Sequence, residues 1–145
     1  FPEAALMAIE QAIKQSEMAH AGEICFVVEP ALDTLPLFKE QPARERAIEV
    51  FSQLRVWDTE RNNGVLIYLL LADHDVEIVA DRGIDVRVGH EKWEAICRLM
   101  EASFREGQFE SGVLASIHAI GDHLKEYFPV HPGGQNELPD RPVIL

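Results

Sequence analysis

Residues 65–71 read Val-Leu-Ile-Tyr-Leu-Leu-Leu, and residues 73–81 read Asp-His-Asp-Val-Glu-Ile-Val-Ala-Asp. The first run is continuously apolar and is bounded by polar turns, which predicts a strand buried on both faces. The turn at residues 73–75 sends the chain straight back, so Val76 to Asp81 is predicted to pair with the first run as an antiparallel strand. This hairpin decides the fold class, because the elements on either side must pack against it.

A second continuously apolar strand is predicted upstream, from Glu23 to Glu29. A helix precedes it, opened by Pro2 and capped by Gly22, and a second helix follows, opened by Pro42 and ending near Trp57. Residues 30–41, which contain two prolines, are predicted to form a loop. A strand, a helix and a strand in this order imply a parallel pair with a right-handed crossover.

Downstream of the hairpin, Gly83 and Gly89 predict a loop, with a short strand at Val86 to Val88. Apolar residues at helical spacing predict two more helices, at residues 91–105 and 109–127. Residues 1–129 are therefore expected to form one domain, and the proline- and glycine-containing residues 130–145 an extended or mobile tail. The predicted fold class is α/β: a three-layer α/β/α sandwich whose small mixed sheet combines a parallel β-α-β unit with an antiparallel hairpin strand.

Composition limits the kind of partner. A chain of 145 residues has the usual size of one domain, and its formal net charge is −12 with a pI of about 4.8. Such a chain repels phosphate backbones, so we expect no nucleic-acid partner, although acidity also commonly serves solubility alone. The longest apolar run, Val65 to Ala72, is far shorter than the roughly 20 residues of a membrane span. The chain starts at Phe1, so its natural start is expected to lie upstream.

The two cysteines, Cys25 and Cys97, lie in apolar patterns and form neither a C-x-x-C motif nor a zinc-ligand spacing. Two reduced core thiols are the favoured interpretation, and they agree with a cytoplasmic protein. A disulfide between them stays open at this point, because it depends on facing positions that a sequence does not show.

The predicted topology brings three polar segments to one edge of the sheet. Parallel strands begin at the same edge, and the antiparallel partner strand ends there. Gly22-Glu23, Asp58 to Gly64 and Asp81 to Asp85 are therefore expected to converge. Hard cations such as calcium and magnesium prefer the carboxylate and amide oxygens that these segments carry. The resulting candidate ligands are Glu23, Asp58, Glu60, Asn62, Asn63, Asp81 and Asp85.

Simpler interpretations of the same residues exist. Asn-Asn-Gly is a common turn sequence, because Asn and Gly tolerate positive φ. Asp58 could cap local structure, and Asp81 could form a surface ion pair with Arg61 or Arg82. The segment is not a calcium EF-hand, because Leu69 stands where that loop needs a bidentate Glu.

Several segments resemble the TPM domain family, over roughly residues 3–129. The most specific is the pairing of Asn-Asn-Gly at a strand entry, in residues 55–70, with a later Asp-Arg-Gly in residues 76–83. Gly22-Glu-Ile24, the stretch Phe104 to Gly112 and Tyr127-Phe-Pro129 also match the family pattern. Many bacterial members carry a signal peptide and a C-terminal membrane helix, neither of which is evident in this chain. It resembles the shorter bacterial kind, and a cytoplasmic location is the expectation.

The resemblance implies a Rossmann-like α/β/α sandwich that binds a divalent cation, calcium or magnesium, at the sheet edge. Carried over by motif, the ligands would be centred on Asn62, Asn63 and Asp81, with Glu23, Asp58 and Asp85 as further candidates. Two functions follow as expectations. One is an interaction or assembly module that docks to a membrane-associated or assembly partner. The other is a cation-dependent acid phosphatase, a phosphomonoester hydrolase in which Arg61 or Arg82 would bind phosphate oxygens. No catalytic nucleophile or general acid stands out in the sequence.

Overall fold

The computed structural model describes residues 2–31, 42–130, 138 and 140–145. They form a four-stranded sheet in the order β3-β2-β1-β4 with five helices. The elements along the chain are α1 (Glu3–Glu17), β1 (Glu23–Glu29), α2 (Ala43–Gln53), β2 (Gly64–Leu70), β3 (Asp75–Ala80), α3 (Arg82–Val88), α4 (His90–Arg105), α5 (Phe109–Tyr127) and β4 (Val143–Ile144). The predicted α/β/α sandwich with its mixed sheet is confirmed.

The sheet has the predicted topology. β1 and β2 are parallel, with Glu23 opposite Gly64, and β2 and β3 are antiparallel, with Val65 opposite Ala80. Side chains of β1 and β2 alternate between two apolar clusters, because neighbouring residues of a strand point to opposite faces. One cluster lies under α1, α3, α4 and α5, and the other lies under α2. Both strands are buried on both faces, which is why they read as continuous apolar runs.

The prediction for residues 82–89 was wrong. A short strand was expected at Val86 to Val88, but residues 82–88 form the helix α3. Asp81 caps its first turn, and Ile84 and Val88 lie four apart and are buried against the core. Gly89 then ends the helix with φ of 90°. Packing of these two side chains outweighs the low helix propensity of a segment that contains glycine and three β-branched residues.

The strand β4 was not predicted either. Val143–Ile144 lies in the segment predicted as an extended or mobile tail, and it pairs in parallel with Val27 and Val28 of β1. Leu138 is buried in the cluster under α2. The predicted loop at residues 30–41 lies mostly outside the described residues. Within the part of the chain that is described, no helix combines the length and apolarity needed to cross a bilayer.

Candidate functional site

The three polar segments meet at the sheet edge as predicted. Glu23 begins β1 opposite Gly64, and the backbone N–H of Asp81 donates to the carbonyl of Gly64 at 2.9 Å. Behind this edge, the first turn of α3 packs against the loop that precedes β2. A Cβ at Gly83 would lie far inside van der Waals contact with the carbonyl oxygens of Arg61 and Asn62. Only glycine permits this approach.

Asn63 directly precedes β2 at this edge and is 1% exposed. Its backbone N–H donates to Thr59 Oγ1 at 3.1 Å, and its side-chain Nδ2 donates to the carbonyl of Ala21 at 3.2 Å. These bonds fix the loop to the residues before β1 and orient the amide. Among the described residues, Asn63 Oδ1 is buried without a hydrogen-bond partner.

Asp81 holds a second oxygen of this kind. Its Oδ1 accepts from the backbone N–H of Arg82 at 2.8 Å, as the N-cap of α3. Its Oδ2 is buried and has no hydrogen-bond partner within the described part of the chain. We call the group formed by Asn63, Asp81 and the carbonyls of Arg61 and Asn62 the Asn63–Asp81 corner. It offers a carboxylate, an amide oxygen and backbone carbonyls, which is the donor chemistry that hard cations prefer.

Glu23 lies beside the corner but is engaged elsewhere. It is 3% exposed, and its Oε1 accepts from the backbone N–H of Leu138 at 2.9 Å. Glu17 lies on its other side and accepts from the backbone N–H of Ile24 at 3.0 Å. Burial, together with a hydrogen bond to Asp140, raises the pKa of Glu17 to about 10. Glu17 is therefore protonated at neutral pH, and this part of the edge is stabilised by a proton and by backbone donors.

The remaining predicted ligands have other positions. Asp58 is half exposed, and its Oδ2 lies 3.1 Å from Arg55 Nη2. Asp85 is one turn along α3, and its Oδ1 accepts from Trp93 Nε1 at 3.0 Å. Asn62 has a left-handed backbone with φ of 52° and an exposed side chain, so its carbonyl oxygen rather than its amide faces Gly83. The edge thus places Asn63 next to Gly64 in the chain and Asp81 opposite Gly64 across the sheet, whereas Arg55 and Trp93 engage the carboxylates of Asp58 and Asp85.

The two candidate phosphate-binding arginines border the corner. The guanidinium of Arg61 lies 5.3 Å from the ring centroid of Phe128, in a cation–π contact. Arg82 directly follows Asp81 and is exposed. Their backbones, through the carbonyl of Arg61 and the N–H of Arg82, are part of the corner's geometry.

The residues that shape the corner from behind were not predicted. Thr59 is 7% exposed and anchors Asn63, and the spacing of four between them gives only a weak signal. His20 is buried, and its Nδ1 accepts from the backbone N–H of Gly22. Burial lowers the pKa of His20 to about 4, so the ring is neutral near pH 7. Glu17 and Leu138 are also absent from the predicted set, because their proximity depends on tertiary packing.

Two features restrict the chemistry. Across the described residues, no three His, Cys, Asp or Glu side chains gather closely enough to hold a metal ion. A cation at the corner would therefore depend on amide and carbonyl oxygens in addition to Asp81. The cysteines are free thiols, and burial raises the pKa of Cys25 to about 11 and that of Cys97 to about 12. Burial thus disfavours the thiolate form of both cysteines, which is the nucleophilic form.

Comparison with known proteins gives one family and a consistent fold. Residues 1–123 match the family model described as TPM domain, which is labelled TPM phosphatase. The NMR structure of the BA42 protein from the psychrophilic bacterium Bizionia argentinensis is 29% identical, with a TM-score of 0.87, and the match covers 100% of this chain and 95% of that one. The N-terminal domain of a P. gingivalis protein is 19% identical, with a TM-score of 0.72 and coverage of 90% and 82%. It supports the fold alone. A search of curated proteins finds no match.

Proposed function

The chain belongs to the TPM domain family, and we propose that it binds a divalent cation, calcium or magnesium, at the Asn63–Asp81 corner and acts as an interaction or assembly module. One observation carries the cation proposal. Asn63 Oδ1 and Asp81 Oδ2 are both buried without a hydrogen-bond partner among the described residues. Burying an acceptor without a partner costs about 1–3 kcal/mol, so two of them at one corner need a physical reason.

A hard cation supplies that reason. It accepts lone pairs from carboxylate, amide and carbonyl oxygens together, and it neutralises the charge of a buried carboxylate. Asp81 would supply the charge and Asn63 the amide oxygen, with the carbonyls of Arg61 and Asn62 as neighbouring donors. The bound ion would tie the loop before β2 to the start of α3. Glu23, whose Oε1 already accepts from Leu138, supports the edge from the side.

The groups around the corner favour a binding role. Asp81 caps a helix, Asn63 is fixed by two hydrogen bonds, and His20 is buried and neutral, with its Nδ1 engaged by Gly22. These residues hold geometry and do not present a proton-transfer group to solvent. A corner that holds geometry in this way supports the interaction or assembly role that we propose.

Thermal unfolding with calcium or magnesium tests the cation proposal. Ligand that binds only the native state stabilises it by about 2.7 kcal/mol at 100 times Kd. We expect millimolar cation to raise the Tm of the wild type and not that of Asp81→Asn. Asparagine still caps a helix, so this variant should fold. Asp58→Asn is the matched control and should respond like the wild type, since Asp58 is an exposed member of an ion pair. If the wild-type Tm is unchanged at about 10 mM calcium and at about 10 mM magnesium, the proposal is wrong, because even weak calcium sites bind below this concentration.

A phosphatase is the second candidate, because Arg61 and Arg82 flank the same corner. One guanidinium group can donate two parallel hydrogen bonds to phosphate oxygens. In that function the cation would neutralise phosphate charge, and Arg82, which is exposed, would reach the substrate. The test is hydrolysis of p-nitrophenyl phosphate at acidic pH with magnesium or calcium. Equal rates for the wild type and for Asp81→Asn would exclude this function and leave the binding role untouched.

A further inference from the structure

Two arginines flank the end of helix α5, where Tyr127 is half-buried and Phe128 is buried. The guanidinium of Arg61 lies over the ring of Phe128, at 5.3 Å from its centroid. The guanidinium of Arg87 lies over the ring of Tyr127, at 6.0 Å from its centroid. Since the two rings belong to neighbouring residues, we treat Arg61, Arg87, Tyr127 and Phe128 as one surface and call it the arginine–aromatic surface.

The helix α3 places both arginines on this surface. Gly83, in its first turn, packs against the carbonyl of Arg61. Arg87 follows Gly83 by four residues, so it lies on the same face of α3, one turn further along. Both arginines are exposed. Contact with a ring restricts a long side chain before any partner arrives, which reduces the conformational entropy that binding must remove.

Arg61 and Arg87 differ from other arginines of the chain because they lack a carboxylate partner. Four arginines form ion pairs: Arg44, Arg46, Arg55 and Arg98. Within the described residues, neither Arg61 nor Arg87 forms one, although the chain has 25 acidic residues and only 13 lysines and arginines. Their N–H donors are therefore open to a carboxylate that comes from another molecule.

Arg55 shows how such an arginine is completed. Its guanidinium lies over the ring of Trp57, at 5.4 Å from the centroid, and its Nη2 also lies 3.1 Å from Oδ2 of Asp58. A guanidinium carries five N–H donors in its plane, so contact with a ring leaves donors for a carboxylate. Arg61 and Arg87 have the ring and lack the carboxylate.

We propose that the arginine–aromatic surface binds an acidic segment of a partner protein. Its Asp or Glu side chains would bind Arg61 and Arg87 as Asp58 binds Arg55, and each guanidinium can donate two parallel hydrogen bonds to one carboxylate. Val86, which precedes Arg87, is 77% exposed and offers an apolar contact beside them. Arginine and aromatic residues are enriched in protein interfaces. This inference rests on the proposed interaction role, for which it names a partner class, and it does not depend on the cation.

Charge favours a short protein segment over an extended polyanion. The net charge of the chain is −12, so a nucleic acid or an anionic membrane that reached the two arginines would also approach the acidic remainder of the molecule. At physiological salt the Debye length is about 8 Å, so a segment confined to the arginines is largely screened from that repulsion. Inorganic phosphate would satisfy the guanidinium donors but would make no use of Val86.

A pair of peptides tests the requirement for carboxylates. The probe is the capped peptide Gly-Asp-Leu-Glu-Asp-Leu-Glu-Gly, titrated into the whole ¹⁵N-labelled protein in EDTA at physiological salt. We expect saturable shifts of the Nε–H signals of Arg61 and Arg87 and of the amide signal of Val86. The control peptide Gly-Asn-Leu-Gln-Asn-Leu-Gln-Gly has the same shape without the charge and should bind at least tenfold more weakly. Equal binding of both peptides, or shifts located elsewhere, overturns the proposal.

The peptide experiment and the cation experiment fail separately. EDTA removes divalent cations from the peptide titration, whereas the thermal unfolding experiment contains no peptide. Loss of peptide binding would therefore leave the rise in Tm with cation standing, and an unchanged Tm would leave the peptide result standing.

Two double variants locate the binding. Arg61→Gln with Arg87→Gln removes both guanidinium groups from exposed positions and should weaken binding of the acidic peptide at least fivefold. Arg98→Gln with Arg105→Gln is the matched control, because it changes the net charge equally on α4, and Arg105 lies at the opposite end of α5 from Tyr127. If the control weakens binding as much as the first variant does, the attraction is only general and the proposal fails.

Other occupants of the surface give different results. Millimolar inorganic phosphate and vesicles that contain phosphatidylserine should not reproduce the shifts of Arg61, Arg87 and Val86. If either one does so and binds more tightly than the acidic peptide, the surface is a phosphate or membrane site and the proposal is wrong. Self-association of the wild type in sedimentation velocity, abolished by Arg61→Gln with Arg87→Gln, would identify a second copy of the chain as the occupant and would also overturn it.

Discussion

The two ends of the central strand β1 carry the same residue type and stabilise it by opposite means. Glu29, at the far end, receives two hydrogen bonds from Arg46, at 2.8 and 3.0 Å, and one from the hydroxyl of Tyr68 at 2.6 Å. The bonds from Arg46 lower the pKa of Glu29. Here the protein supplies its own cation in a fixed, two-pronged geometry.

At the other end, Glu23 accepts from a backbone N–H, and its neighbour Glu17 holds a proton with a pKa of about 10. The adjacent Asn63 and Asp81 keep buried oxygens without hydrogen-bond partners in the described residues. The comparison teaches that burial of a carboxylate can be offset by an arginine, a proton, backbone donors or a foreign ion. The Glu29 end uses an arginine, whereas the Asn63–Asp81 corner is suited to a foreign ion.

The largest effect is expected at the Glu29 end. Arg46→Ala removes a pair in which both side chains are less than 20% exposed, and it leaves the Glu29 carboxylate partly buried without its cation. We expect a loss of about 3 kcal/mol in the free energy of unfolding at pH 7, measured by urea denaturation. Arg98→Ala is the control, because its pair with Glu94 is mostly exposed and should change stability by less than about 0.5 kcal/mol. Similar losses in the two variants would contradict this view of Glu29.

At the Glu23 end of β1, the raised pKa of Glu17 predicts that the stability of the protein depends on pH. The pKa of Glu17 is raised in the native state, so that state binds more protons than the unfolded chain between pH 4.5 and about 10. The stability that this proton provides is complete below pH 4.5 and falls as the pH rises through that window. Residue 17 cannot titrate in Glu17→Gln, so the free energy of unfolding of this variant should lose this dependence. Its advantage over the wild type should grow by about 2.7 kcal/mol from pH 6 to pH 8, at about 1.36 kcal/mol per pH unit. Urea denaturation at both pH values measures the difference.

The exposed Glu3, on the same helix, provides the comparison for that experiment. Glu3→Gln removes the same charge from α1 and should follow the wild type across the whole pH range. A pH profile for Glu17→Gln that is parallel to the wild-type profile would show that Glu17 is already ionised, and the contrast between the two ends of β1 would then be weaker.

The smallest change in stability is expected at Gly83. A methyl group there must push the first turn of α3 away from the carbonyls of Arg61 and Asn62. Overpacking of this kind costs about 1–2 kcal/mol, and it should also abolish the rise in Tm with cation, because the oxygens of the corner separate. Gly107→Ala costs a similar amount through its φ of 75° but meets no neighbouring atom. Gly107→Ala should keep the full rise in Tm with cation. If Gly83→Ala also keeps this rise, α3 does not complete the corner.

Sequence patterns predicted β1, β2, β3 and four of the five helices, because strands that are buried on both faces and amphipathic helices leave periodic signals. They also predicted that Glu23, Asn63 and Asp81 would share an edge, since parallel β1 and β2 must start together and antiparallel β3 must end there. They failed at α3, where the buried pair Ile84 and Val88 decides the structure, and at β4, which is only two residues long.

What the sequence by itself determined is the α/β/α fold and the convergence of polar segments, because both follow from hydrophobic period and strand direction. Which of those residues share a site was decided only by tertiary structure. Asp58 and Asp85 carry the same side chain as Asp81, yet Arg55 and Trp93 take up their oxygens. The docking of α3 on the loop before β2, through the missing Cβ of Gly83, leaves Asn63 and Asp81 with buried oxygens to offer. Hydrogen-bond partners depend on distances of a fraction of an ångström, and a linear pattern does not encode them.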